Sequence, residues 1–449
     1  MIQLPHHSSC RSSANSVSRR WLLESGMSAI GGLSLAHMLG LQTASGVSTS
    51  PTADRKSVIL FWLSGGPSQL DMWDPKPDAP LEIRGPYGSI PTKLPGVRFC
   101  EHLPLQASIA DKLSIIRSVD CRASNHTPIT MQAGNPLARR TNDGRDGGGY
   151  PSMGSVAAKF RGSNDPDLPP FVGLADSWKS DVWEAGHMGN DYAPVKGTEL
   201  QGKFALPEGI ASHRMEEREA MRRRLDVFGK PIGNDANLNR VDRFSQQAYD
   251  LVRSGKVQKA FNIDEESPET IAAYGTESIA RKALQARRLV EAGVTFVLVS
   301  GAWGYFDHHG DDVRWGGIEK GLTPLLPRVD RTLYALVNDL EQRGLLDSTL
   351  VLMMGEFGRS PVINAKAGRG HWTNVMSMVM AGGGLNHGQV IGSTDRRGGT
   401  IESAMVRPQD LAATTFQHLG IDLNASWTNN QGRPIPIVQE GGRPIPELG

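Results

Sequence analysis

The stretch Ser57-Val-Ile-Leu-Phe-Trp-Leu63 is continuously apolar, and the turn-forming sequence Ser64-Gly65-Gly66-Pro67 follows it directly. A short apolar run that ends in turn residues is typical of a strand buried on both faces, as the strands of a parallel sheet are. The stretch therefore predicts a central strand of a buried sheet, with a loop at its carboxyl end.

Five further apolar runs of this kind lie along the chain. They predict strands over residues 113–119, 171–174, 294–300, 349–354 and 377–381. The intervening segments predict helices over residues 127–133, 151–161, 277–292, 324–344 and 410–419. Continuously apolar strands that alternate with helices indicate an α/β fold, with a mostly parallel central sheet and helices on both faces.

The amino-terminal segment has a different character. Residues 18–23 read Ser-Arg-Arg-Trp-Leu-Leu, and the weakly apolar, glycine-rich stretch 26–41 follows. Paired arginines before a short apolar stretch are typical of a twin-arginine signal peptide, so we predict one over residues 1–50 and a periplasmic or secreted location. An ordinary amphipathic helix is the alternative. Because it contains Glu24 and His37, the stretch is too polar for a stable transmembrane span.

Residues 51–449 are expected to form one domain with a helical insertion at about 208–292, where we predict helices over 215–228 and 238–254. Hydrophobic residues make up 39% of the chain and charged residues 21%, which is the composition of a globular protein. The net charge of +1 argues against a nucleic-acid partner. The sequence leaves open whether Cys100 and Cys121 pair.

Ligands of such sheets bind beyond the carboxyl ends of the strands, so polar residues that follow the strands are expected to converge. Four residues of metal-ligand type occupy loops at predicted strand ends: Asp307, His309, Glu356 and His371. We therefore predict that they share a pocket for a divalent metal, and charged surface loops are the alternative. Arg359 offers a bidentate contact for an oxyanion, or else an ion pair that ties down its own loop.

Two other strand-end loops carry candidates. Asp71 follows the first strand and is a possible metal ligand. Ser124, His126 and Thr127 lie at a predicted helix start, where the helix dipole favours an alkoxide and an anionic substrate. Ser124 or Thr127 is therefore a candidate nucleophile, and plain N-capping by Ser124 or Asn125 is the alternative.

Several common catalytic motifs are absent from the sequence. It contains no Walker P-loop, no GxGxxG after a strand, no HExxH and no GxSxG nucleophile elbow. These absences argue against nucleotide-driven, NAD-linked, zincin and lipase-type functions.

Five stretches of the sequence are distinctive: Gly65-Gly66-Pro67-Ser68-Gln69-Leu70-Asp71, Asn125-His126, Ala286-Arg287-Arg288-Leu289-Val290-Glu291-Ala292-Gly293, Asp307-His308-His309-Gly310 and Glu356-Phe357-Gly358-Arg359. Together they resemble the bacterial exported family called domain of unknown function 1501. The resemblance covers the chain from about residue 55 to its end. That family is placed in the alkaline phosphatase/sulfatase-like superfamily, whose members are metal-dependent hydrolases or transferases of phosphate or sulfate esters.

The resemblance implies a ligand order along the chain. The order runs from Asp71 through a nucleophile at Ser124 or Thr127 to the metal ligands of the later loops, which are Asp307 with His309, Glu356 and His371. The sequence departs from the superfamily at Gly65-Gly66, where an aspartate is usual, and at Phe357, where a histidine is usual. The sulfatase signature Cys/Ser-x-Pro-x-Arg is also absent, because Ser124 is followed by Asn125-His126-Thr127 with no arginine in place.

These observations together predict an exported hydrolase of sulfate or phosphate monoesters that depends on a divalent metal, Zn, Ca or Mg. Arg359 would hold the anion, and His126 or His371 would transfer protons. The expected partner is a small-molecule or polysaccharide anionic ester. A non-catalytic, degenerate protein that binds a surface or a polysaccharide on the same fold is the alternative, and a metal-free Ser-His-Asp hydrolase is a third reading that lacks its nucleophile elbow.

Overall fold

The computed structural model describes residues 55–139, 147–197, 255–301 and 305–449, together with four helical positions between residues 214 and 221. The predicted signal peptide, the predicted helix at 238–254 and most of that at 215–228 lie outside the described residues. Within the described part of the chain, no helix is both long enough and apolar enough to cross a membrane.

An eight-stranded sheet forms the centre of the described chain. Its strands are β1 (Ser57–Trp62), β2 (Leu113–Val119), β3 (Phe171–Leu174), β4 (Val195–Lys196), β5 (Phe296–Ser300), β6 (Thr349–Met354), β7 (Met376–Gly382) and β8 (Gln389–Ile391). Their spatial order is β8-β2-β7-β6-β1-β5-β3-β4. Only β7 runs antiparallel to its two neighbours, and the other pairs within this sheet are parallel.

Ten α-helices of the described residues lie between or after these strands along the chain. They are α1 (Leu81–Arg84), α2 (Pro104–Ser108), α3 (Ile129–Ala133), α4 (Met153–Phe160), α5 (Trp178–Asp181), α6 (Lys256–Phe261), α7 (Pro268–Tyr274), α8 (Ser278–Ala292), α9 (Thr323–Gln342) and α10 (Pro408–His418). A π-helical turn, Ile318–Leu322, precedes α9. The remaining short strands pair as Ser89–Pro91 with Arg98–Cys100, Gly358–Arg359 with His371–Trp372, Ser393–Thr394 with Ile401–Ser403, and Ser426–Thr428 with Pro434–Pro436.

Helices cover both faces of the sheet. On β1, Ile59 and Phe61 pack against the layer that contains α2 and α6–α9, whereas Val58 and Leu60 pack against the layer that contains α4 and α10. All four side chains are buried, and burial of such a side chain contributes about 1.5–3 kcal/mol. The predicted fold class, an α/β protein with a mostly parallel sheet between helices, is therefore confirmed.

The strand register brings several loops to one edge of the sheet. Trp62, the last residue of β1, is level with Ser300 of β5 and Met354 of β6. The loops that follow these three neighbouring strands therefore leave the sheet together. Cys100 and Cys121 are both buried and both free, so the structure contains no bond between them.

Candidate metal centre

Four polar side chains converge at this edge of the sheet: His126, Asp307, His309 and His371. Oδ1 of Asp307 lies 3.0 Å from Nε2 of His309 and 3.0 Å from Nε2 of His371, and these two nitrogens are 2.8 Å apart. Nε2 of His126 lies 3.5 Å from the other oxygen of Asp307. Of the four residues that the sequence predicted to share a pocket, Asp307, His309, Glu356 and His371, the structure brings Asp307, His309 and His371 into direct contact.

Separate strand-end loops deliver these residues. Asp307 and His309 follow β5, and His126 lies in the loop between β2 and α3. His371 begins a two-residue strand that pairs with Arg359 in the loop after β6. The side chains of His309 and His371 are 35% and 36% exposed, so a metal ion or a small ligand can reach the centre from solvent.

Glu356 lies behind His126. Its Oε1 accepts the backbone N–H of Gly65 at 2.8 Å and lies 2.9 Å from Nδ1 of His126. A carboxylate that accepts the Nδ1 proton of a histidine directs the Nε2 lone pair outward, and metal-ligating histidines commonly have such a partner. The structure therefore makes Glu356 an orienting residue, and it gives His126 the position of a ligand.

The electrostatics of the cluster favour bound positive charge. Burial raises the pKa of Asp307, but hydrogen bonds from His126, His371 and Arg359 outweigh burial and hold the pKa far below its ordinary value. Burial lowers the pKa of His126, but Asp307 and Glu356 outweigh it and raise this pKa to about 9. Asp307 is thus ionised at physiological pH, and His126 lies in a negative potential.

The donor atoms fit a divalent metal. His126, Asp307 and His371 each offer a ligand atom, and these atoms lie within 4.8 Å of one another. The triangle of Asp307, His309 and His371 has edges of 2.8–3.0 Å. Ligand atoms about 2.1 Å from a shared metal lie about 3.0 Å apart when their bonds are perpendicular and about 3.4 Å apart in a tetrahedron. The observed distances match those between neighbouring ligand atoms in octahedral coordination. A modest increase in these distances would match tetrahedral coordination.

Arg359 lies beneath the centre, where its side chain is 1% exposed. Its Nε donates to Gly66 O at 2.9 Å, and its Nη1 donates to Arg369 O at 3.1 Å. Its Nη2 contacts the carbonyl oxygens of Gly65 and Phe306 and donates to Asp307 Oδ1 at 2.7 Å. These contacts occupy the guanidinium, so Arg359 positions Asp307 and does not face an incoming oxyanion as the sequence led us to expect.

Asp71 is engaged elsewhere. Its two oxygens accept Nε and Nη2 of Arg369 at 2.7 and 3.0 Å, and Ser68 Oγ donates to it as well. The side chains of Asp71 and Arg369 are each 1% exposed. The structure therefore places Asp71 in a buried ion pair outside the metal centre. The ligand order along the chain had implied a metal ligand at this position. The sequence did not lead us to predict a role for Arg369, which lies two residues before His371. The only signal at this position is that glycines flank it.

The two candidate nucleophiles differ in their surroundings. Ser124 is buried, and its hydroxyl lies 3.4 Å from the carbonyl oxygen of Asn125. Thr127 is partly exposed, adjoins His126 in the chain, and donates to Asn125 Oδ1 at 2.6 Å. Pro128 is the N-cap of α3 and no side chain caps this helix, so Ser124 and Asn125 do not have the alternative capping role.

Gly65 and Gly66, where the family resemblance led us to expect an aspartate, are tightly enclosed. Gly65 has φ of 109°, and a Cβ there would lie 2.5 Å from the backbone nitrogen of Asp307. A Cβ on Gly66 would lie 2.6 Å from the ring of Phe357. That ring in turn packs 4.6 Å from the ring of His371. The close approach of the 306–307 backbone and Phe357 leaves no room for an aspartate at either glycine.

The fold and the site define a class: an α/β protein with a mostly parallel sheet and a histidine- and aspartate-lined candidate metal centre at its strand ends. Within that class, the chain belongs to the family described as Protein of unknown function (DUF1501), whose model matches residues 55–448. No curated protein shows a significant sequence match to the chain.

Solved structures show distant similarity. The protein called Ps i-CgsB is 11% identical, with 82% of this chain and 73% of that chain covered and a TM-score of 0.39. The PsFucS1 sulfatase from Pseudoalteromonas sp. is 12% identical, with 89% and 72% covered and a TM-score of 0.35. The lipoteichoic acid synthase LtaP from Listeria monocytogenes is 10% identical, with 92% and 79% covered and a TM-score of 0.34.

Proposed function

We propose that this protein is a metal-dependent hydrolase of phosphate or sulfate monoesters. The observation that carries the proposal is the convergence of Asp307 with the imidazoles of His126, His309 and His371 at the solvent-accessible edge of the sheet. Imidazole nitrogens favour zinc or a similar transition metal, whereas Mg²⁺ and Ca²⁺ prefer oxygen ligands. Zinc is therefore the metal we expect at this centre.

The chain's own residues prepare the site. Arg359 fixes Asp307 through a 2.7 Å hydrogen bond, and Glu356 holds His126 through its Nδ1 proton. A divalent metal bound here would supply Lewis-acid activation of the ester and neutralise its negative charge. The attacking oxygen comes from the hydroxyl of Thr127 or from water, because Ser124 is buried away from solvent.

One experiment tests the proposal. The purified protein is analysed for metals by mass spectrometry and assayed against a panel of aryl phosphate and aryl sulfate esters. Asp307→Ala is expected to lose both bound zinc and turnover. Asp312→Asn is a matched control because Asp312 lies in the same loop in an exposed pair with Lys366, and it should retain both. Normal turnover in the Asp307 variant would remove this site as the catalyst.

A second candidate function is binding of anionic ligands without turnover. It is favoured by the burial of Ser124, which leaves only Thr127 of the two candidate nucleophiles within reach of solvent. This reading expects affinity for inorganic phosphate, sulfate or a sulfated polysaccharide and no ester hydrolysis across the panel. Measured hydrolysis that depends on Asp307 would eliminate it.

We further propose that the protein acts outside the cytoplasm after twin-arginine export. Support comes from Arg19 and Arg20 ahead of the apolar stretch 26–41. Arg19→Lys together with Arg20→Lys should keep the chain in the cytoplasm, as measured by fractionation and immunoblotting. Unchanged export of the double variant would contradict the proposal.

A further inference from the structure

An exposed arginine, Arg314, lies in the loop after β5 that also supplies Asp307 and His309. Its guanidinium carbon is 4.7 Å from the centre of the Trp315 ring. A guanidinium over an indole face is attracted by the electrons of the ring, and the contact restricts the rotation of the arginine side chain. Arg314 is therefore held in a defined orientation at the surface before any ligand binds.

Trp315 is itself fixed to the part of the loop that carries the metal ligands. Its carbonyl oxygen lies 3.0 Å from Nδ1 of His308, the residue between Asp307 and His309. Its ring meets the ring of Tyr305 edge to face, with the ring centres 5.9 Å apart, and both side chains are half-buried. Tyr305 precedes Asp307 by two residues, so their Cα atoms are at most about 7.6 Å apart. Tyr305, Trp315 and Arg314 thus form a row of contacting side chains that begins beside the metal centre.

The charge of Arg314 is not neutralised within the described part of the chain. The two acidic residues nearest to it in the sequence have other partners: Asp311 pairs with Lys320 at 3.5 Å, and Asp312 pairs with Lys366 at 2.7 Å. Among the described residues, Arg314 has no ion pair and no hydrogen bond in addition to its contact with the indole. Its planar fork of N–H donors, which matches two oxygens of one oxyanion, is therefore available to a ligand.

We propose that Arg314, Trp315 and Tyr305 form a subsite for a second anionic group of a polysaccharide whose ester group occupies the metal centre. The guanidinium donates two hydrogen bonds to a sulfate or phosphate group, and the aromatic rings pack against the apolar face of the sugar. The metal centre binds one ester group, and the subsite selects a carbohydrate chain that carries further charges. This inference rests on the proposed function, because it takes the metal centre as the place where the first anionic group binds.

The test measures binding to the purified full-length, zinc-loaded protein by calorimetry. The probes are maltotriose with one or three 6-deoxy-6-sulfonate groups and the corresponding phosphonates, which resist hydrolysis. For at least one of the two oxyanions, the wild type should bind the triply charged probe about tenfold more tightly than the singly charged one. Arg314→Ala should lose this preference. Arg314→Lys should recover only part of it, because lysine keeps the charge but not the planar fork.

Arg433→Ala is the matched control, and it should keep the wild-type preference. It removes the same charge from an exposed position on the hairpin formed by Ser426–Thr428 and Pro434–Pro436. Zinc content, measured by mass spectrometry, should be equal in all variants, which separates loss of the subsite from damage to the metal centre.

Four results would overturn the proposal: no preference in the wild type for either triply charged probe, an unchanged preference in Arg314→Ala, an equal loss in Arg433→Ala, or loss of zinc from Arg314→Ala. The last result would make Arg314 a support of the metal centre. Because the probes are not hydrolysed, an absence of ester turnover counts against the proposed function and leaves this comparison unaffected.

Discussion

Replacement of Asp71 by asparagine should destabilise the protein by about 3–5 kcal/mol and leave the zinc content of the metal centre unchanged. In the native structure both oxygens of Asp71 accept hydrogen bonds from Arg369, at 2.7 and 3.0 Å, and both side chains are 1% exposed. Asparagine has one acceptor oxygen and no charge, so the variant leaves a buried guanidinium without its counter-ion. The loss is large beside a total stability of about 5–15 kcal/mol.

Equilibrium urea unfolding, followed by circular dichroism and tryptophan fluorescence, measures this change. The expected result is a lower midpoint concentration of urea, while the free energy of unfolding keeps the same dependence on urea concentration. Asp312→Asn is the control, because its pair with Lys366 is exposed at both ends and should not shift the midpoint measurably. Asp71→Leu combined with Arg369→Met should lose less stability than the sum of the two single changes, because neither charge is then left alone.

The unfolding midpoint and the zinc content of Asp71→Asn together discriminate between an ion-pair role and a metal-ligand role for Asp71. A variant that keeps the wild-type midpoint but loses zinc would refute the ion-pair reasoning. That outcome would instead make Asp71 a metal ligand, as the order of residues along the chain implied.

Three other predictions concern the metal centre. Glu356→Gln should weaken zinc binding about 10–100-fold because it removes the carboxylate that orients His126, as measured by titration against a competing chelator. Because the pKa of His126 is raised to about 9 without metal, zinc must displace a proton below that pH. Apparent affinity should therefore rise with pH by up to about tenfold per unit up to about pH 9, and an affinity independent of pH between 7 and 8 would exclude His126 as a ligand. Gly65→Ala should lower the thermal midpoint more than Gly344→Ala, since both glycines have positive φ but only at Gly65 would a Cβ collide with Asp307. Equal shifts of the two thermal midpoints would show that backbone strain at positive φ, and not a collision with Asp307, causes the loss of stability.

The sequence was sufficient for six of the eight strands of the sheet, whereas the two short edge strands, β4 and β8, were not predicted. Strands such as β1 and β6 are apolar on both faces, and that pattern is local, so it can be read without knowledge of the rest of the chain. The placement of metal-ligand residues at strand ends was also predictable, because parallel strands send their following loops to one edge. For this reason Asp307, His309 and His371 could be grouped although the first and the last are 64 positions apart in the chain.

The sequence by itself determined which residue types gather at this edge of the sheet, but only the tertiary structure decided what each of them does. Asp71 meets Arg369 across 298 positions of chain, and Arg359 reaches carbonyl oxygens of the 65–66 turn across about 293. Such partners depend on distances between loops, which no local pattern encodes. His126 was predicted to transfer protons, and only the structure shows that its contact with Glu356 turns its second nitrogen toward Asp307. Charge and hydrogen-bonding capacity are properties of the sequence, whereas their pairing in a buried site follows from packing.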